Sequence, residues 1–193
     1  TRSSSCATSI SGSISVCSTW VLMKQPIRPS TSLRWRLATG TPTYRGLPLK
    51  SYLSYRQLSQ RLWGQRWNKL TLAHGCYWKR CAFCDTALDY IGRYEPATVD
   101  VLVDRIRAMV AETGDSGFHF VDEAMPPALL ARLARRLIDE EISIAWWGNV
   151  RFDAALADMA PLLAASGCVG LTGGLEVASD RVLTLMAKGI SLE

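Results

Sequence analysis

The first 84 residues of this chain contain no Asp or Glu, yet they hold thirteen Lys and Arg. Residues 85–193 hold the other nine Lys and Arg and all seventeen acids, so the two parts carry +13 and −8, which make the net +5. Such asymmetry marks a nucleic-acid or membrane-surface arm, an Arg- and Ser-rich targeting peptide, or an opening that was not selected as protein, such as an out-of-frame start. Fourteen of the first 32 residues are Ser or Thr, with no helical or strand period. The plain reading, a disordered or artefactual leader, is therefore favoured. No apolar run approaches the ~20 residues that a membrane-spanning helix needs. The Ser/Thr-studded start also lacks the compact apolar stretch of a secretory signal. Internal repeats are absent. Histidine occurs only twice, and the six cysteines are not spread as a disulfide framework spreads them.

What is present is ordinary globular material, 48% apolar and 20% charged. At 193 residues the chain suits one domain with a core and is too short for two comfortable ones. Three segments are expected: a low-complexity basic leader over 1–39, a linker with a short helix over 40–68, and an ordered α/β region over 69–193. Tyr55, Leu58 and Leu62 suggest the linker helix, ending near Gly64.

The spacing predicts a first strand over 69–73 and a helix from Val99 to Val110, capped by Thr98 and stopped at Gly114. A second strand is expected over 117–121, and Pro126 and Pro127 open a helix to about Glu140. A third strand over 142–146 precedes a helix over 154–165. A fourth over 168–171 precedes a helix capped by Ser179 and running to Lys188. Strands that alternate with helices of ten to sixteen residues imply βαβ units and a parallel sheet. Polar residues gather after the strands, where such folds place their chemistry. Cys76 follows the first, Asp122 and Glu123 the second, Asn149 and Arg151 the third, and Glu176 the fourth.

Cys76, Cys81 and Cys84 lie within nine residues of one another, which points to a metal in a reducing compartment and a cytoplasmic protein. Three thiolates can hold three irons of a cubane cluster and leave the fourth open, whereas complete protein ligation needs four. Lys79 and Arg80 would offset the cluster's charge, and Phe83 would shield it from solvent. The alternative is zinc on the three cysteines plus His74 or a distant Cys. Zinc ribbons usually carry two Cys-x2-Cys pairs, and here there is one. On spacing alone, iron–sulfur stands against zinc at roughly two to one.

The phrase His74-Gly-Cys-Tyr-Trp-Lys-Arg-Cys-Ala-Phe-Cys-Asp85 resembles the cluster loop of radical S-adenosylmethionine (SAM) enzymes. It resembles in particular the class that often carries a cobalamin-binding domain ahead of the barrel. Gly46-Leu-Pro-Leu-Lys-Ser-Tyr52 is similar to the linker between those domains, Phe120-Val-Asp-Glu-Ala124 to the second strand end, and residues 174–189 to the fourth-strand-and-helix segment. The family's usual loop has three residues between its first two cysteines, and this one has four. Val177-Ala178 stand where Ser-Gly is common.

The resemblance implies a partial (β/α) barrel of about four βα units, a fragment of one that needs about six. It implies a [4Fe–4S] cluster on Cys76, Cys81 and Cys84, and SAM bound at the open iron through its amino and carboxylate groups. Reductive cleavage would give a 5′-deoxyadenosyl radical, with an electron donor such as flavodoxin or ferredoxin. Methyl transfer occurs in class members that use cobalamin, which would belong here only to a fuller protein, since residues 1–68 show no cobalamin domain.

Candidate cofactor contacts are Phe83, Asp122, Glu123, Arg151 and Glu176. The four charged ones each have a plainer alternative. Asp122 and Glu123 could be acids favoured by a helix N-terminus, Arg151 a surface ion pair with Asp153, and Glu176 a capping carboxylate before Ser179. One of Trp146 and Trp147 is expected in the core. His74, His119 and Cys168 read as structural, and Cys6 and Cys17 have no assigned role. A zinc-stabilised module whose basic segment contacts nucleic acid, and a non-catalytic fragment, are the competing functions. No membrane partner is expected.

Overall fold

A computed structural model describes residues 40–51 and 67–192. The leader over 1–39, its two cysteines and the expected linker helix around Tyr55–Leu62 lie outside the described residues. Six strands are seen: β1 (Trp67–Leu70), β2 (Ala73–His74), β3 (Glu95–Pro96), β4 (Gly117–Phe120), β5 (Ala145–Asn149) and β6 (Cys168–Thr172). Five α-helices accompany them: α1 (Asp89–Gly92), α2 (Val99–Thr113), α3 (Pro127–Asp139), α4 (Ala155–Ala165) and α5 (Asp180–Leu185). Strands β1, β4, β5 and β6 form one parallel sheet in that order, and β2 pairs antiparallel with β3. The expected alternation of strand and helix is thus present, among the described residues, as a four-stranded parallel sheet.

The two faces of the sheet differ. Leu70, Phe118, Phe120 and Trp146 are buried with Leu102, Ile106 and Met109 of α2, with Leu129, Leu130, Leu133 and Leu137 of α3, and with Leu156 and Leu163 of α4. On the register between them lie Lys69, His119 and Trp147. The His119 ring stacks on Trp147 at 3.6 Å, and Lys69 Nζ is 2.8 Å from His119 Nδ1. Burial and the neighbouring ammonium push His119 down to about 4, so the ring is neutral at pH 7. Trp146 is the core member of the tryptophan pair, with Nε1 donating to the Ser166 carbonyl.

Helix ends follow local rules. Thr98 caps α2, its Oγ1 accepting from the Val101 amide, and Gly114 ends it in the left-handed conformation. At the end of α3, Ile142 N–H donates to Leu137 O and Glu141 N–H to Ile138 O, with Glu141 at φ 54°. This Schellman pattern uses residues 140–142, which explains why β5 begins at Ala145 rather than at 142. The same pattern ends α5. Lys188 N–H donates to Leu183 O and Ala187 N–H to Thr184 O, with Ala187 at φ 50°. The helix therefore stops at Leu185 and not at Lys188, and its last residues fold back. Ser179 occupies the N-cap position of α5 without a side-chain cap bond.

The first strand also differs from expectation. Val121 N–H donates to Leu70 O, and beyond it the Asp122 carboxylate accepts from the amides of Leu72 and Ala73 at 2.7–3.1 Å. A carboxylate in place of a neighbouring strand ends the parallel ladder at Leu70 and peels the chain into the β2–β3 hairpin.

Candidate functional site

Because the four main strands are parallel, their carboxyl ends share one edge of the sheet. The chain after β1 forms the cysteine loop, after β4 the Val121–Glu123 turn, after β5 residues 150–153, and after β6 residues 173–176. Gly75 starts the loop at φ 73°, where a β-carbon would run into the Arg93 carbonyl, so only glycine fits this approach.

Cys76 and Cys81 are half-buried and Cys84 is exposed; all three are free thiols. Burial raises the Cys81 pKa above the ordinary thiol value. Lys188 and, more weakly, Arg151 oppose that rise, while the charges of Cys84 and Cys76 add to it. Cys81 is therefore the thiol on which burial, its two neighbouring cysteines and two cations act together. Among the described residues no group of three or more His, Cys, Asp or Glu is gathered closely enough to hold a metal ion. The donor chemistry suits a thiophilic cluster, while the loop as folded does not converge its thiols on one point.

Arg151 is 9% exposed and organises this edge. Its guanidinium donates to the Lys188 carbonyl at 3.1 Å, the Gly189 carbonyl at 2.7 Å, the Tyr77 hydroxyl at 3.3 Å and Asp153 Oδ2 at 2.9 Å. It also lies 3.9 Å from the centroid of the Trp78 ring. The pairing with Asp153 is present, but it is buried rather than on the surface. Tyr77 donates to the same Asp153 oxygen at 2.9 Å, and desolvation pushes its phenol up to about 12.

The C-terminal fold-back after α5 closes over the loop. Ala82 N–H donates to Met186 O at 2.8 Å, and Trp78 Nε1 donates to Ala187 O at 2.9 Å. A β-carbon on Gly189 would strike the Trp78 indole. Lys188 is 8% exposed; its ammonium pairs with Glu176 Oε1 at 2.8 Å and stands 5.3 Å over the Phe83 ring.

The expected residues thus divide. Arg151, Glu176, Phe83 and the cysteines meet around the fold-back. Asp122 is buried on the backbone of Leu72 and Ala73, and desolvation raises its pKa to about 6. Glu123 is exposed. Phe83 is 53% exposed, so it flanks the loop without sealing it. Lys79 donates to Gly92 O and Arg80 lies over Trp78, so the cations felt at Cys81 are Lys188 and Arg151 instead. Sequence reasoning missed the parts played by Lys188 and Tyr77. The clue for the first was a lone lysine before Gly189 at a helix end, inside the phrase already singled out.

No protein-family model matches the chain. An uncharacterized methyltransferase of the archaeon Pyrococcus horikoshii is 23% identical over 152 residues, which are 78% of this chain and 31% of that protein. A radical SAM methyltransferase, TsrM from Kitasatospora setae, was solved with tryptophan substrate and a SAM analogue bound. It aligns with 65% of this chain and 25% of its own, at a TM-score of 0.49 and 23% identity. The chain spans under a third of the length of the curated relative.

Proposed function

We propose that this chain is a radical SAM protein whose [4Fe–4S] cluster is held by Cys76, Cys81 and Cys84. The observation that supports it most is the three-thiol loop at the carboxyl edge of a parallel sheet, packed against two buried cations, Arg151 and Lys188. Cys76, Cys81 and Cys84 would hold the cluster, which would supply the electron for reductive cleavage of SAM.

The chain's own residues have distinct duties in this reading. Gly75 and the Asp122 carboxylate set the turn that delivers the loop. Binding the cluster would require the three thiols to converge. Arg151 offers a fixed fork to a carboxylate, although in this state its nitrogens hold Asp153 and two carbonyls. Glu176 is the acceptor for ligand hydroxyls, Glu123 for an amino group, and Phe83 flanks the ligand. Likeness to a methyltransferase makes methyl transfer the proposed reaction; a flavodoxin- or ferredoxin-type protein is the proposed electron donor. Cobalamin would enter only with a binding domain elsewhere in a longer protein.

The test is anaerobic incubation of the reconstituted chain with SAM and dithionite. The expected result is a change in the EPR spectrum on adding SAM, followed by 5′-deoxyadenosine. Cluster formation with neither signal would leave an iron–sulfur protein and contradict the SAM chemistry.

A further inference from the structure

Lys188 is a buried lysine whose ammonium pairs, among the described residues, with Glu176. Burying an ammonium is costly unless something negative repays it, and the exposed Glu176 is a weak counter-ion. The side chain reaches over Phe83, the residue just before Cys84. Its backbone is locked from two sides. The Schellman turn holds its amide, and Arg151, itself stacked on Trp78 of the same loop as the cysteines, holds its carbonyl. Cation, carbonyl clasp and loop therefore form one unit, built from the end of α5 against the loop after β1.

We propose that Lys188 is the positioning residue of the cysteine loop, and that its ammonium stabilises the negative charge gathered there. This rests on the reading that the loop carries an iron–sulfur cluster. A cuboidal cluster on three thiolates is anionic and gains one further negative charge on reduction. A fixed, partly desolvated cation beside it favours the reduced form, and Glu176, of opposite sign on the same ammonium, disfavours it. The two members of the pair thus act on the cluster in opposite directions, which mere structural support would not produce.

The test compares wild type, Lys188→Met, Lys188→Arg and Glu176→Gln after anaerobic reconstitution, reading iron content, the midpoint potential of the cluster, and amide exchange at Ala82. Lys188→Met should lower the potential, shifting the reduced-to-oxidised ratio at fixed potential by about tenfold, about 59 mV for one electron. Glu176→Gln should raise the potential, and Lys188→Arg should restore it. Ala82, whose amide bonds Met186 O, should exchange faster in Lys188→Met and at the wild-type rate in Lys188→Arg. Iron in every variant with equal potentials would overturn the role of Lys188 and leave the functional reading standing, as would a shift of the same sign for Lys188→Met and Glu176→Gln. A wild-type chain that takes up no iron would fail the functional reading itself, and with it this role.

Discussion

The sheet with α2 and α3 and the edge that carries the cysteines are held together by different forces. In the first, Leu102, Ile106, Met109, Phe118, Phe120 and Leu130 are fully buried, and apolar area removed from water accounts for the packing. At the second, the loop is tied by two hydrogen bonds to a helix end, by the Arg151 fork and by stacking on Trp78. The end of the sheet at β6 is also less buried. α4 contains Pro161 and buries only Leu156 and Leu163, β6 has no buried residue, and α5 buries only Leu183. Apolar packing is non-directional and sums over many contacts. A directional polar clasp can be released by one or two changes, which suits a loop that must rearrange around a ligand.

The largest effect is expected from breaking the apolar side. Leu130→Ala should lower the unfolding free energy by about 2–5 kcal/mol through the cavity it leaves, measured by urea denaturation. A loss below about 1 kcal/mol would mean that α3 is not seated in the core as described.

Next comes pH. Asp122 has a folded pKa of about 6 against 3.8 unfolded, so the folded state holds its proton more tightly. Its contribution is full below pH 4 and is lost as pH rises through 6, on the order of 3 kcal/mol. His119, at about 4 folded against 6.5 unfolded, works the other way, its contribution being lost as pH falls from 6.5 towards 4. The two oppose each other in the wild type. Asp122→Asn should therefore leave stability rising from pH 4 to 6.5, and His119→Phe should leave it falling. Parallel pH curves for the two variants would contradict the assignment.

On the polar edge, Trp78→Ala should cost about 1–2 kcal/mol locally, removing the Arg151 stack and the bond to Ala187 O. Amide exchange should speed up at Ala82 and leave α2 and α3 unchanged; equal acceleration in both regions would erase the distinction between them. The smallest effect is expected at Cys168, half-buried on β6 and away from the loop. Cys168→Ala should leave iron content after reconstitution at the wild-type value.

How much could be read in advance follows the same division. Val99–Val110, Leu129–Leu137 and the strands around Phe118 and Cys168 were legible because their periodicity and caps are local and agree with the packing. The start of β5 was missed because the Schellman turn at Glu141 needs a positive φ on a residue that does not advertise it. The end of β1 was missed because the Asp122 carboxylate, fifty residues away, captures the Leu72 amide. At the candidate site the cysteines and Arg151 were visible as residue types at strand ends. Their cationic neighbour Lys188 was not, since its place depends on how the end of α5 folds back. Asp122, expected beside a cofactor, is seen on backbone amides, a role that no spacing in the sequence reveals.

The central claim is that Cys76, Cys81 and Cys84 hold an iron–sulfur cluster. The most direct measurement is iron, sulfide and zinc per chain after anaerobic reconstitution, for the wild type and a Cys76→Ala, Cys81→Ala, Cys84→Ala triple variant. The account predicts about four irons and four sulfides in the wild type and almost none in the variant. Stoichiometric zinc with no iron, or equal iron in both proteins, would contradict it.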